Sequence, residues 1–563
     1  MRRLLPFLLA GLLVQGCAQP EGVAEESGDV RLLTAARIHT SDPSRPVAEA
    51  MAWDGEGRIV AVGSAEDLRA AWPDAEALDL GDRTVVPGLI DAHGHVMGLG
   101  FSLMRADLVG AASTDEVLER LREYASGLPE GAWVLGRGWD QNLWPGREFP
   151  TAADLDQAFP DRPVWLDRVD GHAGWANTEA MRRAQALDGA RAFAGDWHPE
   201  GGRIVREGGR ATGVLVDTAM SLVERAIPEP DGALREQALE RALAAAVAVG
   251  LTGVHDMGVS REDLALMRRF ADEGRLPLRI AAYAAGDGDA FADLCADGLY
   301  THEGGRLWMH GIKLFADGAL GSRGAALIGE YADDPGNHGL LLQEPDAYRD
   351  VLRRARECGV QVATHAIGDR GNRSVLDAYA EVLGDAAGAD HRWRVEHAQI
   401  VAVEDIPRFD ELDVIASMQP THATSDMGWA GDRVGEARLA GAYAWRSFLD
   451  AGVRLALGSD FPVESADPRL GLYAAVTRQD RNGEPPGGWL PGQRLTAAEA
   501  LRGFTAGAAY AARSEDATGR LAPGLRADFV VLAEDPLQVP GEALDELTVV
   551  STWVDGEAVY LAE

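Results

Sequence analysis

Six side chains able to ligate a metal or act as a nucleophile stand at the ends of short apolar segments in this 563-residue chain. Asp91-Ala-His93-Gly-His95 closes one segment, and Lys313 lies within Gly311-Ile-Lys-Leu-Phe315. Thr364-His365, Glu396-His397 and Ser459-Asp460 close three more. Histidines at i and i+2 point the same way from an extended chain, so His93 and His95 can reach one ion. Four imidazoles (His93, His95, His365, His397) with the Asp460 carboxylate make a donor set suited to zinc or another divalent transition metal. Each fragment also has a bland reading: a strand-end histidine often only hydrogen-bonds, and an aspartate after Gly-Ser often caps a helix. Recurrence at five segment ends outweighs those readings.

Lys313 is the single lysine; the other 52 of the 53 basic side chains are arginine. A guanidinium stays charged at any working pH, whereas a desolvated amine can become neutral and nucleophilic. Such an amine can form a Schiff base with a carbonyl substrate or react with carbon dioxide to give an anionic carbamate. Both chemistries are open on the residue alone.

Positioning these groups requires a repeated scaffold. Eight short apolar segments, 85–93, 253–256, 279–284, 311–315, 361–365, 394–397, 414–418 and 454–460, each end in polar residues and lead into a helical stretch. Alternating strands and helices predict a parallel sheet, and eight units predict an α/β protein of the (β/α)8 TIM-barrel class. Its active site would lie at the C-terminal strand ends. The barrel is expected over 85–515, with a Trp- and Gly-rich insertion after strand 1, about 98–230, capping its mouth. Alternating segments at both termini, with Asp54-Gly-Glu-Gly57 as a hairpin turn, predict a small β-sandwich assembled from 29–84 and 516–563.

The formal charge of -36 repels phosphate backbones and argues against nucleic-acid binding. Two arginines precede an apolar run over 4–14 that is too short to span a bilayer. Residues 1–17 therefore read as a signal peptide. Val14-Gln-Gly-Cys17 resembles a bacterial lipoprotein box, with Cys17 as the lipidated end and 18–28 as a tether. The expectation is export, either to the periplasmic face of a bacterial membrane as a lipoprotein or as a secreted protein, with membrane contact only through that anchor. Cys295 and Cys358 lie in helix-like contexts and are expected as buried thiols; without a CxxC pair, zinc-thiolate and thiol-redox sites are not expected.

Beyond these residues, the chain resembles the amidohydrolase superfamily, and within it amidohydrolase family 3, the N-substituted formamide deformylase-like metal-dependent hydrolases. The resemblance rests on Val86-Pro-Gly-Leu-Ile-Asp-Ala-His-Gly-His95, Gly311-Ile-Lys-Leu-Phe-Ala-Asp-Gly-Ala-Leu-Gly-Ser-Arg-Gly-Ala325 and Thr364-His-Ala-Ile-Gly-Asp369. Arg394-Val-Glu-His-Ala-Gln399, Ser417-Met-Gln-Pro-Thr-His422, Leu457-Gly-Ser-Asp-Phe-Pro462 and Gly519-Arg-Leu-Ala-Pro-Gly-Leu-Arg-Ala-Asp-Phe-Val-Val-Leu532 complete it. It implies one or two zinc ions, with His93, His95 and Asp460 on one side, His365 and His397 on the other, and a carbon dioxide-derived carbamate on Lys313 between them. It further implies hydrolysis of a C–N bond in an amide-like small molecule, N-substituted formamide or N-acyl, by a metal-bridging hydroxide with Asp460 as general base and acid. In the insertion, Trp139 and His172 resemble the family's pocket segments, His172 as an oxyanion donor. Asp317, Ser322 and Arg323 follow the lysine strand, Asp317 as a substrate contact and Arg323 facing either a substrate carboxylate or a local acid, and His422 follows strand seven as a substrate contact. His255 reads as structural; His39, His198, His302, His338 and His391 read as solvated loop residues, and His310 as preceding strand four. Alternatives on the same barrel are a lyase, aldolase or isomerase, or a non-catalytic binding lipoprotein, and a homo-oligomer is compatible with the sequence.

Overall fold

The computed structural model describes residues 30–169, 171, 173–188, 193, 195–199 and 202–562. The signal peptide, Cys17, the tether and His172 lie outside the described residues. Among the described residues, no helix is long and apolar enough to cross a membrane.

Eight parallel strands form the barrel: β1 (Leu89–Gly94), β2 (Leu251–Val259), β3 (Arg279–Ala285), β4 (Leu307–Phe315), β5 (Gln361–Ala366), β6 (Arg394–His397), β7 (Ile415–Met418) and β8 (Leu455–Leu457). Each pairs with its chain neighbour from β8 round to β1. The seam between β8 and β1 is closed by the parallel bridge Gly94–Phe461 and by Asp460 N donating to His93 O (2.6 Å) and His95 N to Phe461 O (2.9 Å). Apolar helix faces cover the outside. The helix Arg261–Asp272 starts at the Ser260 cap and buries Leu264, Met267 and Phe270, one stripe at helical spacing. Truncating such a residue, Phe270→Ala for instance, costs about 3–5 kcal/mol.

The expected first strand, 85–93, divides in two. Thr84–Pro87 pairs antiparallel with Phe529–Leu532 from the other end of the chain, and only from Leu89 does the chain enter the barrel. Pro87 lacks the N–H a central strand needs, and Gly88 permits the turn: a Cβ there would lie 2.1 Å from Thr252 Oγ1. The terminal segments form one hydrogen-bonded sheet of eight strands rather than the expected sandwich. Its strand Arg31–His39 pairs with Glu76–Asp79 through its first half and with Thr84–Pro87 through its second, with a register shift between Thr34 and Ile38. Period-two alternation gives this sheet two faces, Leu33, Met51 and Phe529 on one and Leu32, Ala50 and Ala52 on the other, where Leu68 of the helix Ala65–Ala71 packs against them.

Between β1 and β2 the chain builds a second, six-stranded sheet with strands from Ala106–Asp107 to Arg210–Asp217. This insertion has its own core, in which the Trp139, Trp144 and Trp175 rings meet at 6.0–6.1 Å. Trp139 is fully buried there and donates from Nε1 to Leu166 O (2.8 Å), so it packs the insertion and does not line a substrate pocket.

Cys295 and Cys358 are joined in a disulfide, contrary to the expectation of free thiols. Cys295 lies in the helix Asp289–Asp297 and Cys358 ends the helix Pro345–Glu357. Sixty-three residues separate them, and only the packing of helices on either side of β4 brings their Cα atoms to 5.0 Å. His39 and His310 also differ from expectation. His39 ends a strand, buried against Asp535 (2.8 Å), and His310 lies within β4, with its Nε2 2.8 Å from Thr301 Oγ1.

Candidate metal centre

The C-terminal ends of β1, β4, β5, β6 and β8 bring His93, His95, Lys313, His365, His397 and Asp460 to one place. Ligand atoms of His93, His397 and Asp460 all lie within 4.8 Å of one another. Lys313 Nζ is 3.1 Å from His93 Nε2, and His95 Nε2 is 3.0 Å from Asp460 Oδ1. The His365 and His397 rings stand 4.6 Å apart, edge to face.

Local backbone geometry aims two of these groups. His397 (φ +73°), the last residue of β6, and Asp460 (φ +63°), three residues past β8, adopt the left-handed region, turning their side chains toward the axis. Such a conformation costs a non-glycine residue of order 1–3 kcal/mol and persists only where its surroundings fix it. For Asp460 the fixing groups are visible. Gly458 lets the chain pass Asp91 so closely that a Cβ would lie 2.5 Å from Asp91 Oδ1. Asp91 then accepts from Ser459 N (3.0 Å), Ser459 Oγ (2.6 Å) and His93 N (3.0 Å), locking the ends of β8 and β1 together. The Gly-Ser-Asp motif is thus a splice between strands and not a helix cap.

The imidazoles are prepared as neutral donors. Glu396 accepts the His93 Nδ1 proton at 2.6 Å, since a carboxylate can only accept, and that leaves the Nε2 lone pair for a ligand. Gln419 Oε1 does the same for His397 Nδ1 at 2.8 Å. Burial, reinforced for His93 by the nearby Lys313 and for His397 by His365, holds both rings well below the ordinary histidine range. Burial pushes the Lys313 amine down to about 8, within reach of the neutral form. Burial alone would raise the Asp460 carboxyl, but His93, His95 and His397 outweigh it and hold the group well below the carboxylate range. Two unprotonated imidazole nitrogens beside an ionised carboxylate fit a divalent transition metal.

The remaining candidates separate. His422, in the helix Pro420–Asp426, stacks on His397 with ring centres 5.8 Å apart. Its Nε2 is buried 3.7 Å from Asp460 Oδ2, with no hydrogen-bond partner. Asp317 does not face a substrate: it is fully buried and accepts from Ala326 N, Ile367 N and Gly368 N (2.8–2.9 Å), tying the loop after β4 to the end of β5. Arg323 pairs with Asp333, which Arg433 also grips, so it serves a local acid and not a substrate carboxylate. Ser322 Oγ donates to Ala319 O (3.3 Å) within the same loop. His255 accepts from Arg394 in the barrel interior, a structural place. Asp256, beside it, accepts from Val96 N (3.1 Å) at the start of the helix Val96–Ser102.

Three contributors were not singled out from sequence. Arg394 and Glu396 occupy alternate positions of a four-residue buried strand, and two charges at i and i+2 there were the available signal. Phe315, two residues past Lys313, places a 43% exposed ring 5.3 Å from that of His365 and 4.8 Å from Lys313 Nζ. Nothing in the sequence marked that phenylalanine as exposed.

Compared with known proteins, the chain matches the sequence profile of the amidohydrolase family over residues 76–560. A second profile, an imidazolonepropionase-like composite domain of bacteria, matches 56–75 in the terminal sheet. Protein LONG AFTER FAR-RED 3 of Arabidopsis thaliana is 35% identical over 544 residues, covering 94% of this chain and 91% of that protein. N-substituted formamide deformylase of Arthrobacter pascens is 32% identical over 543 residues, covering 93% and 97% respectively. Among solved structures, an uncharacterized metal-dependent hydrolase from Pyrococcus horikoshii OT3 superposes with a TM-score of 0.76 at 29% identity, covering 91% of this chain and 99% of that one.

Proposed function

This chain belongs to the amidohydrolase family and is a metal-dependent hydrolase, and we propose that it cleaves a C–N bond in an amide-like small molecule, an N-substituted formamide or N-acyl compound. The observation that carries the reading is the convergence of four imidazoles, one buried lysine and the Asp460 carboxylate at the barrel's strand ends. The 32% identity to N-substituted formamide deformylase supports the bond type.

His93, His95 and Asp460 would hold one divalent cation and His365 and His397 a second, with a carbamate of Lys313 shared between them. Bound there, such ions supply Lewis acidity and bring the ionisation of a coordinated water toward neutral pH. Asp460, kept as carboxylate by its imidazole neighbours, takes the proton of the attacking water and delivers it to the leaving nitrogen. His422, whose buried Nε2 has no protein partner, donates to the oxygen on which charge develops. Phe315 offers an apolar wall to the substituent that flanks the scissile bond. Export, with Cys17 as a lipid anchor, belongs to the same proposal; the Cys295–Cys358 disulfide supports an oxidising compartment.

Metal analysis combined with a screen of N-formyl, N-acyl and cyclic amides tests the reading. Metal-dependent release of the amine, lost on exhaustive chelation and restored by zinc, is expected. Full activity after chelation would overturn it, and a borohydride-trapped substrate adduct on Lys313 would replace it with imine chemistry.

A further inference from the structure

Beneath the candidate metal centre lies a fully buried charge pair that the proposed reaction does not itself use. Arg394 and Glu396 both sit on β6 and face the barrel interior. The Arg394 Nε donates to Glu396 Oε1, and Nη2 donates to Glu396 Oε2 (3.0 Å), Ala92 O (2.6 Å) and Ser417 Oγ (2.6 Å). Nη1 donates to His255 Nδ1 (3.0 Å) and Tyr283 OH (3.3 Å). One guanidinium therefore ties β6 to β1, β2, β3 and β7 at the level just below the ligands. Both Glu396 oxygens are occupied, Oε1 by Arg394 and Oε2 by Arg394 and His93 Nδ1.

A buried ion pair is by itself weak evidence for stability, because desolvation cancels much of the attraction and apolar replacements often serve as well. The direction in which this pair points is more informative. Glu396 neighbours the ligand His397 in sequence and has a ligand-type side chain, yet it faces away from the ligand atoms and grips the far nitrogen of His93. Arg394 holds the strand carrying His93 through Ala92 O, one residue before it.

We propose that the Arg394–Glu396 pair positions the metal centre: it fixes the Nδ1–H tautomer and ring orientation of His93, and it keeps Glu396 out of the ligand set. The inference rests on the metal-dependent reading of the site. Glu396 orients His93 through its hydrogen bond to Nδ1, and Arg394 holds that carboxylate in place and unavailable to a cation.

Two readouts test this on the full chain: melting temperature without metal, and zinc affinity by chelator competition with zinc alone. Glu396→Gln keeps an oxygen able to accept from His93 but removes the charge. It should weaken zinc binding about 10–100-fold, the usual effect of losing such a partner, and lower the metal-free melting temperature by stranding Arg394. The double variant R394Q/E396Q removes both charges. It should recover much of the metal-free melting temperature while zinc binding stays weak, because His93 still lacks its anion. A merely structural pair would recover both together, and that result would overturn the proposal, as would wild-type zinc affinity in Glu396→Gln. Should Glu396→Gln fail to fold, Arg394→Lys retains the charge but not the fork and should show weakened zinc binding; unchanged affinity there also overturns it. Wild-type protein that binds no zinc would instead fail the metal-dependent reading itself.

Discussion

Opening the Cys295–Cys358 bond perturbs the segment that carries Lys313. The bond closes a 63-residue loop holding β4 and the long connection after it, whose Asp317 and Arg323 organise the rim of the barrel. The chain-entropy treatment of a cross-link of that span gives a stabilisation of about 4 kcal/mol, nearly all of it through restriction of the unfolded chain. If the whole chain unfolds together, its large unfolding entropy converts this to a fall in melting temperature of about 4 °C. The assay is thermal unfolding of the unreduced protein beside the double variant C295S/C358S, each with and without reductant. The double variant should melt lower and be indifferent to reductant, while the parent should fall to meet it. Peptide mapping of the unreduced protein should find no free thiol at either position. Equal melting temperatures, or free thiols at 295 and 358, would refute the reasoning.

Lys313→Arg keeps the positive charge but cannot become a carbamate, and it forces a larger group into a buried position 3.1 Å from His93. Metal content measured by elemental analysis should fall, and kcat/KM should drop roughly 1000-fold, the size of several kcal/mol of lost charge stabilisation. Retention of metal and rate would exclude the carbamate role. Asp460→Asn removes the proposed metal ligand and proton carrier together, so kcat should fall about 100- to 10,000-fold. Unchanged steady-state kinetics would remove Asp460 from the reaction. Phe315→Ala should raise KM about 10–100-fold for substrates bearing an aromatic substituent and leave those bearing a methyl group nearly unchanged. Equal effects on both would show that the ring only packs.

Several features were readable in the chain itself because they depend on local pattern. Eight apolar segments ending in polar residues give eight strands, since a parallel barrel strand buried on both sides must be short and continuous in its apolar character. His93, His95, Lys313, His365, His397 and Asp460 stood out because each lies at the end of such a segment, and strand direction then sends them to one rim. The seam between Thr84–Pro87 and the barrel was hidden, because Pro87-Gly88 divides an apolar run whose halves look alike. Other facts depended on partners far away in sequence. Trp139 looked like a pocket wall until the insertion's sheet enclosed it, and Arg323 found Asp333 only when the loop after β4 folded back. Cys295 and Cys358 are free thiols or a disulfide according to how two helices lie, which no spacing rule determines. The same holds for His93: its place on β1 is written in the sequence, but its tautomer is decided by Glu396, 303 residues away, and by the arginine that holds that carboxylate. Residue types and strand ends specified which donors the protein owns, whereas packing across the barrel interior decided which nitrogen each donor presents.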